Sequence, residues 1–278
     1  MRKYLITGLL LTLFACSKSD KKNDEGPTLP VKEKVRLKVM TYNIYGARAS
    51  SGPPADLTLL AKVINEQQPD LVALQEVDVF TNRTGTTVHQ AKELAALTGM
   101  EWFYTKAIDV SGGQFGDAVL SRLPIKESKR YGLPVDPAVS GEFRSVAMIK
   151  VNKEGKDFYF ASTHLDHLAQ ENNRLVQAAE LKKIVTGLDL PLIMAGDLNA
   201  VPASQTMDLI RSFMNLGCVQ QCPLTFPSDK PDRTIDYIMT TPNSGFSVNS
   251  HQPLTGYIAD KKVYASDHCS VVATISIN

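Results

Sequence analysis

Asp197 and Asn199 close an apolar run in LIMAGDLNAVP, residues 192–202. Taken alone, G-D-x-N is turn chemistry, because glycine tolerates positive φ and Asx side chains bond their own backbone. Carboxylate and amide oxygens are equally what a hard cation such as Mg²⁺ takes as ligands. The rest of the chain separates these readings. Other apolar segments end at Asn43, Glu76 and His164; Asp236 lies within TIDYI; Ser266, Asp267 and His268 precede a final valine-rich run. A turn accepts serine, glycine or lysine as readily, whereas here segment after segment delivers Asn, Asp, Glu or His. Strands laid side by side bring such tips to one rim, and a rim so furnished can hold a cation and transfer a proton.

The elements that must position these tips follow from hydrophobic periodicity. VRLKVMTYNI alternates and is expected as a strand ending at Asn43. ADLTLLAKVINEQQPD carries Leu57, Leu60, Ala61 and Ile64 at helical spacing and stops at Pro69. LVALQEV is a short buried strand reaching Glu76, and VHQAKELAALTG a helix with Gly99 as its C-cap. EWFYTKAI, DAVLS, RSVAMIKV and DFYFASTH read as strands. A longer helix follows, with Leu175, Ala178, Leu181 and Val185 on one face, then the strand PLIMAGD, the helix SQTMDLIRSF, and the strands RTIDYIMT and HCSVVATISI. No internal repeat or internal linker is visible, so one domain is expected over 35–278.

The chain has 278 residues, 43% of them hydrophobic, with 30 Lys+Arg against 29 Asp+Glu. That length buries a substantial core. The near-zero net charge lacks the basic bias of an obligate duplex-DNA binder. Arg2 and Lys3 precede an apolar stretch, residues 4–15, too short to span a bilayer comfortably, which ends LFAC. This resembles a bacterial lipoprotein signal over residues 1–16, with Cys16 lipidated after cleavage; an ordinary secretory signal is the alternative. Residues 17–34 are polar, charged and Gly/Pro-containing, the composition of a flexible tether. The expected location is therefore outside the cytoplasm, lipid-anchored to a bacterial membrane. Cys218 and Cys222 are spaced for a short-loop disulfide in an oxidising compartment, which spacing alone does not establish. Cys269, in a valine-rich run, reads as a buried small hydrophobe.

TYNIYG, LQEVD, GDAVLSRLPI, STHLD, GDLNA, RTIDYI and SDH resemble, in order, the motifs of the endonuclease/exonuclease/phosphatase family, of which DNase I is the familiar member. G-D-x-N is a weak signal; the ordered set, from about residue 37 to the C-terminus, is a strong one. The resemblance implies a four-layer α/β/β/α sandwich and Mg²⁺- or Mn²⁺-dependent hydrolysis of phosphate esters by an activated water. It implies Glu76 as the principal metal ligand, supported by Asn43, and Asp267 as a further metal or water ligand. Asp197 and Asn199 would hold the attacking water and the phosphate. His268 would be general base or phosphate ligand, its tautomer set by Asp236. His164 would bond a non-bridging phosphate oxygen. Its acidic partner is open: Ser145 stands where DNase I has a carboxylate, and Glu142 or Asp166 are the substitutes at hand.

Arg83 and Arg144 match phosphate bidentately but serve equally well as structural ion-pair partners. His89 and His167 lack strand-tip company and are left unassigned, while Tyr131–Gly132 and the Trp102–Phe103–Tyr104 cluster read as core. The expected substrate is a phosphate ester, with nucleic acid, a phospholipid head group (sphingomyelinase-like) and a soluble ester all open. A non-catalytic binding module on this fold would show broken site residues, and each motif residue here is chemically competent. The aromatics fall within expected strands and the longer loops, GARASSGPPAD and PSDKPDR, are polar, which favours a soluble ester over an interfacial one. The enzyme is expected to act as a monomer, attached to the membrane through its N-terminal lipid.

The signal reading has a direct test. Mass spectrometry of the mature protein should find a lipidated N-terminal Cys16, and Cys16→Ala should release the protein from the membrane fraction or leave the precursor uncleaved. An unmodified N-terminus elsewhere would refute the lipoprotein assignment.

Overall fold

The computed structural model describes residues 34–49, 55–218 and 221–278; Cys16 and the tether lie outside the described residues. In chain order the elements are β1 (Val35–Asn43), α1 (Leu57–Gln67), β2 (Leu71–Val79), α2 (Gln90–Thr98), β3 (Glu101–Val110), β4 (Gly113–Ser121), β5 (Glu127–Leu133), β6 (Arg144–Lys153), β7 (Lys156–His164), α3 (Asn172–Thr186), β8 (Leu192–Asp197), α4 (Gln205–Arg211), β9 (Asn215–Leu216), β10 (Asp236–Thr240), β11 (Phe246–Leu254), β12 (Tyr257–Ile258), β13 (Val263–Tyr264) and β14 (Ser270–Ile277). One sheet has the order β11-β14-β1-β2-β4-β3 and the other β5-β6-β7-β8-β10-β9, with β12 and β13 paired apart.

Period-two alternation builds the layers. On β1, Leu37 and Val39 enter the core between the sheets, whereas Met40 and Tyr42 point outward beneath α1 and α2. On β8, Ile193 and Ala195 face that same inter-sheet core, whereas Leu192 and Met194 pack under α3 and α4. Three apolar layers thus hold four structural ones, the α/β/β/α sandwich expected from the motifs. Asp56 caps α1 by accepting from Thr58 N at 2.9 Å, and Gly99, at φ 65, ends α2 as anticipated.

The sequence has no visible repeat, yet the sheets share one topology. In each, a parallel pair joined through a helix (β1–α1–β2 and β7–α3–β8) is flanked by antiparallel strands in the same order. This arrangement makes the site. Parallel strands end together, so Asn43 and Glu76 reach the same rim, as do His164 and Asp197, which are register partners. Antiparallel neighbours begin where these strands end, which places Asp236 opposite Asp197 and His268 just ahead of β14. Beneath the rim the inter-sheet core turns polar. Gln75 Nε2 donates across the sheets to Ser162 Oγ at 2.9 Å, and Ser145 Oγ to Asp117 Oδ2 at 2.5 Å.

Several local expectations need correction. β5 and β11 are edge strands whose mixed, half-exposed faces gave no apolar alternation. Trp102 is 38% exposed rather than core, because β3 is also an edge; its ring lies against His89, centroids 4.6 Å apart. Phe143 is a loop aromatic and 56% exposed, so the aromatics are not confined to strands. On α3 the buried face includes Asn173, Arg174 and Gln177, and Leu175 is only half-buried.

Gly196 decides how closely β7 and β8 approach: a Cβ there would sit 1.9 Å from the Thr163 carbonyl oxygen. Gly196→Ala must therefore part the strands that carry His164 and Asp197. Overpacking of this kind costs about 1–3 kcal/mol, or roughly 2–4 °C in Tm per kcal/mol at this size. The variant should melt several degrees lower and lose at least about 10-fold in kcat, since small misplacements of reacting groups are costly. Wild-type Tm and turnover would show that the strands tolerate the methyl.

Candidate active site

At the shared rim lies a cleft of ≈ 320 Å³ whose walls include Glu76, Asp197, Asn199, His164, Asp267 and His268. The bulge in β2 between Leu74 and Val77 turns Glu76 out of the ladder into the left-handed region, at φ 58; Asn199 sits there too, at φ 47. Such backbone costs about 1–3 kcal/mol per residue and persists where surrounding structure enforces it.

Asn43 links the two sheets at this point. Its Nδ2 donates to Glu76 Oε1 and to Asp197 Oδ2, both at 3.0 Å, while its Oδ1 accepts from Tyr45 N at 3.1 Å. In this arrangement Asn43 turns a donor, not a ligand oxygen, toward the carboxylates. Ser266 Oγ donates to the Asn43 carbonyl at 2.7 Å, which fixes the segment carrying Asp267 and His268. Asn199 N donates to Asp197 Oδ1 at 2.9 Å.

The two histidines flank Asp197 symmetrically, each with Nε2 at 3.6 Å from Asp197 Oδ2, but their far sides differ. His268 Nδ1 meets both oxygens of Asp236 at 3.1 Å, as expected. Burial opposes charge on His268, but Asp236, Asp197 and Asp267 together outweigh it and lift the imidazole to about 10. His164 Nδ1 instead meets Arg144 Nη1 at 3.1 Å. Burial, then Arg144 and the other histidines, hold His164 well below the ordinary histidine range. None of the carboxylates considered for His164 touches its Nδ1. Glu142 pairs with Arg144 at 2.8 Å, and Asp166 accepts from the backbone of Glu142 and Leu168. Ser145 turns away to Asp117.

Arg144 is 3% exposed yet lines the cleft, and its Nη2 also reaches His167 Nδ1 at 3.2 Å, so it supports both His164 and His167 from the cleft wall. Arg83 is held bidentately by buried Asp78 at 2.8 and 2.7 Å and still reaches the cleft wall. Asp117, Glu142 as Arg144's partner, and His167 as a cleft residue do not stand at strand tips and lack that mark in the sequence. Asp117 had a signal: it shares its strand face with Val119 of the inter-sheet core, so a carboxylate stands at an inward position. Burial pushes it to about 8 despite the Ser145 hydrogen bond and Arg144.

The carboxylates crowd one another. Burial first, then Asp236, raise Asp197 to about 7; burial, and Glu76 beside it, raise Asp267. Asp197, Asp236 and His268 bring ligand-type atoms within 4.8 Å of one another. Both Asp236 oxygens are taken by the imidazole, however, so that group is an acid–imidazole pair first. Glu76 and Asp267, on the cleft wall, supply oxygen donors with no thiolate, a set suited to Mg²⁺ or Mn²⁺. Excess buried negative charge at this spot is what a divalent cation would offset.

Residues 40–268 match the model of the endonuclease/exonuclease/phosphatase family. Nocturnin of Xenopus laevis is 24% identical over 247 residues, 79% of this chain and 64% of that protein. Sphingomyelinase C 2 of Leptospira interrogans is 24% identical over 212 residues, 66% of this chain and 34% of that one. The chain thus spans less than two thirds of the length of these curated relatives. Among solved structures, an endonuclease/exonuclease/phosphatase from Beutenbergia cavernae superposes with a TM-score of 0.71 at 25% identity, covering 88% of this chain and 72% of that one.

These charges predict a pH dependence of stability. Asp117 and Asp197 bind their protons more tightly folded (about 8 and about 7) than at the ordinary 3.8, so their contribution is complete below that value and is lost as pH rises through 7–8. His268 behaves alike, complete below 6.5 and lost toward 10. In EDTA, Tm should fall between pH 6 and 9, and the rise in Tm on adding Mg²⁺ should be larger at pH 9 than at pH 6. A stripped protein that grows more stable toward pH 9 would contradict this charge assignment.

Proposed function

This chain belongs to the endonuclease/exonuclease/phosphatase family, and from that premise we propose that it is an exported phosphoesterase, hydrolysing phosphate esters by in-line attack of water with Mg²⁺ or Mn²⁺. The observation that carries the reading is the Asn43 amide donating at 3.0 Å to a carboxylate from each sheet. It sets a cation-binding group and a water-activating group side by side.

Glu76 and Asp267 would hold the cation, which when bound neutralises charge developing on the phosphorus oxygens and leaving group. Asp197, raised toward neutrality, is poised to orient the attacking water and accept its proton, because a base works best with a pKa near the working pH. Asn199 aligns that carboxylate through its backbone N–H. His268, charged at neutral pH and anchored by Asp236, donates Nε2–H to a phosphate oxygen; it fits phosphate ligand better than general base. His164 donates from the opposite side. Arg83 adds positive potential at the mouth. Positioning and electrostatics supply most of the catalysis, as phosphoryl chemistry requires.

For substrate, a small water-soluble ester is favoured. The cleft is modest in volume, and a net charge of +1 gives no broad attraction for duplex nucleic acid. A phospholipid head group is the second reading, favoured by exposed Phe143, which neighbours the cleft residues Glu142 and Arg144 and is the kind of side chain that enters a lipid interface. For location, the Cys218–Cys222 disulfide supports an oxidising compartment, in line with the signal ending at Cys16.

Turnover of bis(p-nitrophenyl) phosphate should vanish in EDTA and return with Mg²⁺ or Mn²⁺; full turnover after stripping would sink the metal-dependent reading. Glu76→Gln, Asp197→Asn and His268→Ala should each cut kcat by at least ~10²-fold, with near-wild-type melting for the two isosteric changes and a lower Tm for His268→Ala, which leaves Asp236 buried without its partner. Micellar sphingomyelin proving the best substrate in a screen, with Phe143→Ala abolishing that preference, would move the choice to the second reading.

A further inference from the structure

We infer that Arg144 is a positioning residue that locks His164 as the neutral Nε2–H tautomer, so that this histidine serves as a directional hydrogen-bond donor and not as a base or an imidazolium. The inference rests on the phosphoesterase reading of the same cleft and goes beyond it by dividing the roles of the two histidines.

A guanidinium has five N–H donors and no acceptor. Arg144 Nη1, at 3.1 Å from His164 Nδ1, therefore requires a lone pair on Nδ1. That rules out the Nδ1–H tautomer and the doubly protonated ring, and leaves the single proton on Nε2. Asn199 Nδ2 also lies 3.0 Å from Nε2, but a neutral imidazole has one ring lone pair; the charged guanidinium is the stronger donor and takes it, while Asn199 Nδ2 keeps the Leu165 carbonyl at 3.0 Å. Nε2–H then lies on the ring edge that meets the cleft, with Asp197 Oδ2 3.6 Å away.

Arg144 itself is held firmly. Glu142 pairs with its Nη2 at 2.8 Å, and Glu142 is fixed by its backbone: its N donates to Asp166 at 3.0 Å and its carbonyl accepts from Gln177 at 3.2 Å. Arg144, itself on the cleft wall, thus reaches the Nδ1 side of His164 from a braced position. His268, which holds the corresponding position on the other flank of Asp197, has Asp236 behind it. Opposite partners behind two similar rings give one cationic and one neutral donor, a division that burial and Arg144's charge also favour at His164.

The chain has five histidines, so long-range ¹H–¹⁵N spectra of the full-length protein at pH 7.5, assigned with His164→Gln, resolve the tautomer directly. Wild type should show His164 protonated on Nε2 alone. Arg144→Met should mix the tautomers and lower kcat on bis(p-nitrophenyl) phosphate by about 10²-fold while KM stays nearly unchanged. Arg144→Lys, whose ammonium also only donates, should restore much of the Nε2–H form and part of the rate. A proton on Nδ1 in the wild type overturns the inference, as does an unaltered tautomer in Arg144→Met. So does a rise in KM at constant kcat, which would make Arg144 a phosphate clamp. If Arg144→Met does not fold, the wild-type spectrum and Arg144→Lys still decide. The tautomer is read without turnover, so a protein that cleaves no phosphate ester leaves this test intact.

Discussion

Carboxylates from two different sheets must share one rim, and like charges about 4–6 Å apart repel by about 3–4 kcal/mol at an effective dielectric of 20. Nearly every unusual feature near the cleft answers that repulsion. The Asn43 amide sits between Glu76 and Asp197, the Asp197 carboxyl rises toward neutrality, and His268 takes up positive charge. Polar bonds under the rim pin the sheets together where an apolar core would leave their spacing to packing alone. The left-handed backbone at Glu76 and Asn199 is strain held in place by the same surroundings, which fits residues kept for chemistry rather than for stability.

Shared topology with different side chains explains how the site becomes asymmetric. Each sheet offers a parallel pair whose ends point at the same place, so the fold supplies two similar half-sites. The residues behind them then diverge, with a carboxylate backing one imidazole and a guanidinium the other. Asp197 lies between the two rings, and the field it experiences is therefore directional, from a charged donor on one flank toward a neutral one on the other.

Much of this was legible in the residues. Strand tips are readable because alternation marks where an apolar run ends, and Asn43, Glu76, His164, Asp197 and His268 all converge as their positions implied. What escaped depends on contacts between distant segments. The partner of His164 could not be read from Ser145, Glu142 or Asp166, since side chains two or three positions apart at the start of β6 point to different neighbours. The buried face of α3 was misjudged because Asn173, Arg174 and Gln177 are buried to hold loops: Gln177 and Arg174 bond the backbone at 142, 166 and 168, and Asn173 that at 136 and 140. A helix that buries amides for this purpose has no clean apolar stripe. Edge strands β3, β5 and β11 are half-solvated, which hid two of them and overstated the burial of Trp102 in the third.

β1 enters the fold at Val35 and reaches the cleft only at Asn43, eight residues later, or about 26 Å at strand rise. Val35 thus lies at the end of β1 opposite the one that delivers Asn43 to the rim. Substitutions around Val35 therefore act on the site only through the sheet, by way of strand register, and not by contact with the cleft.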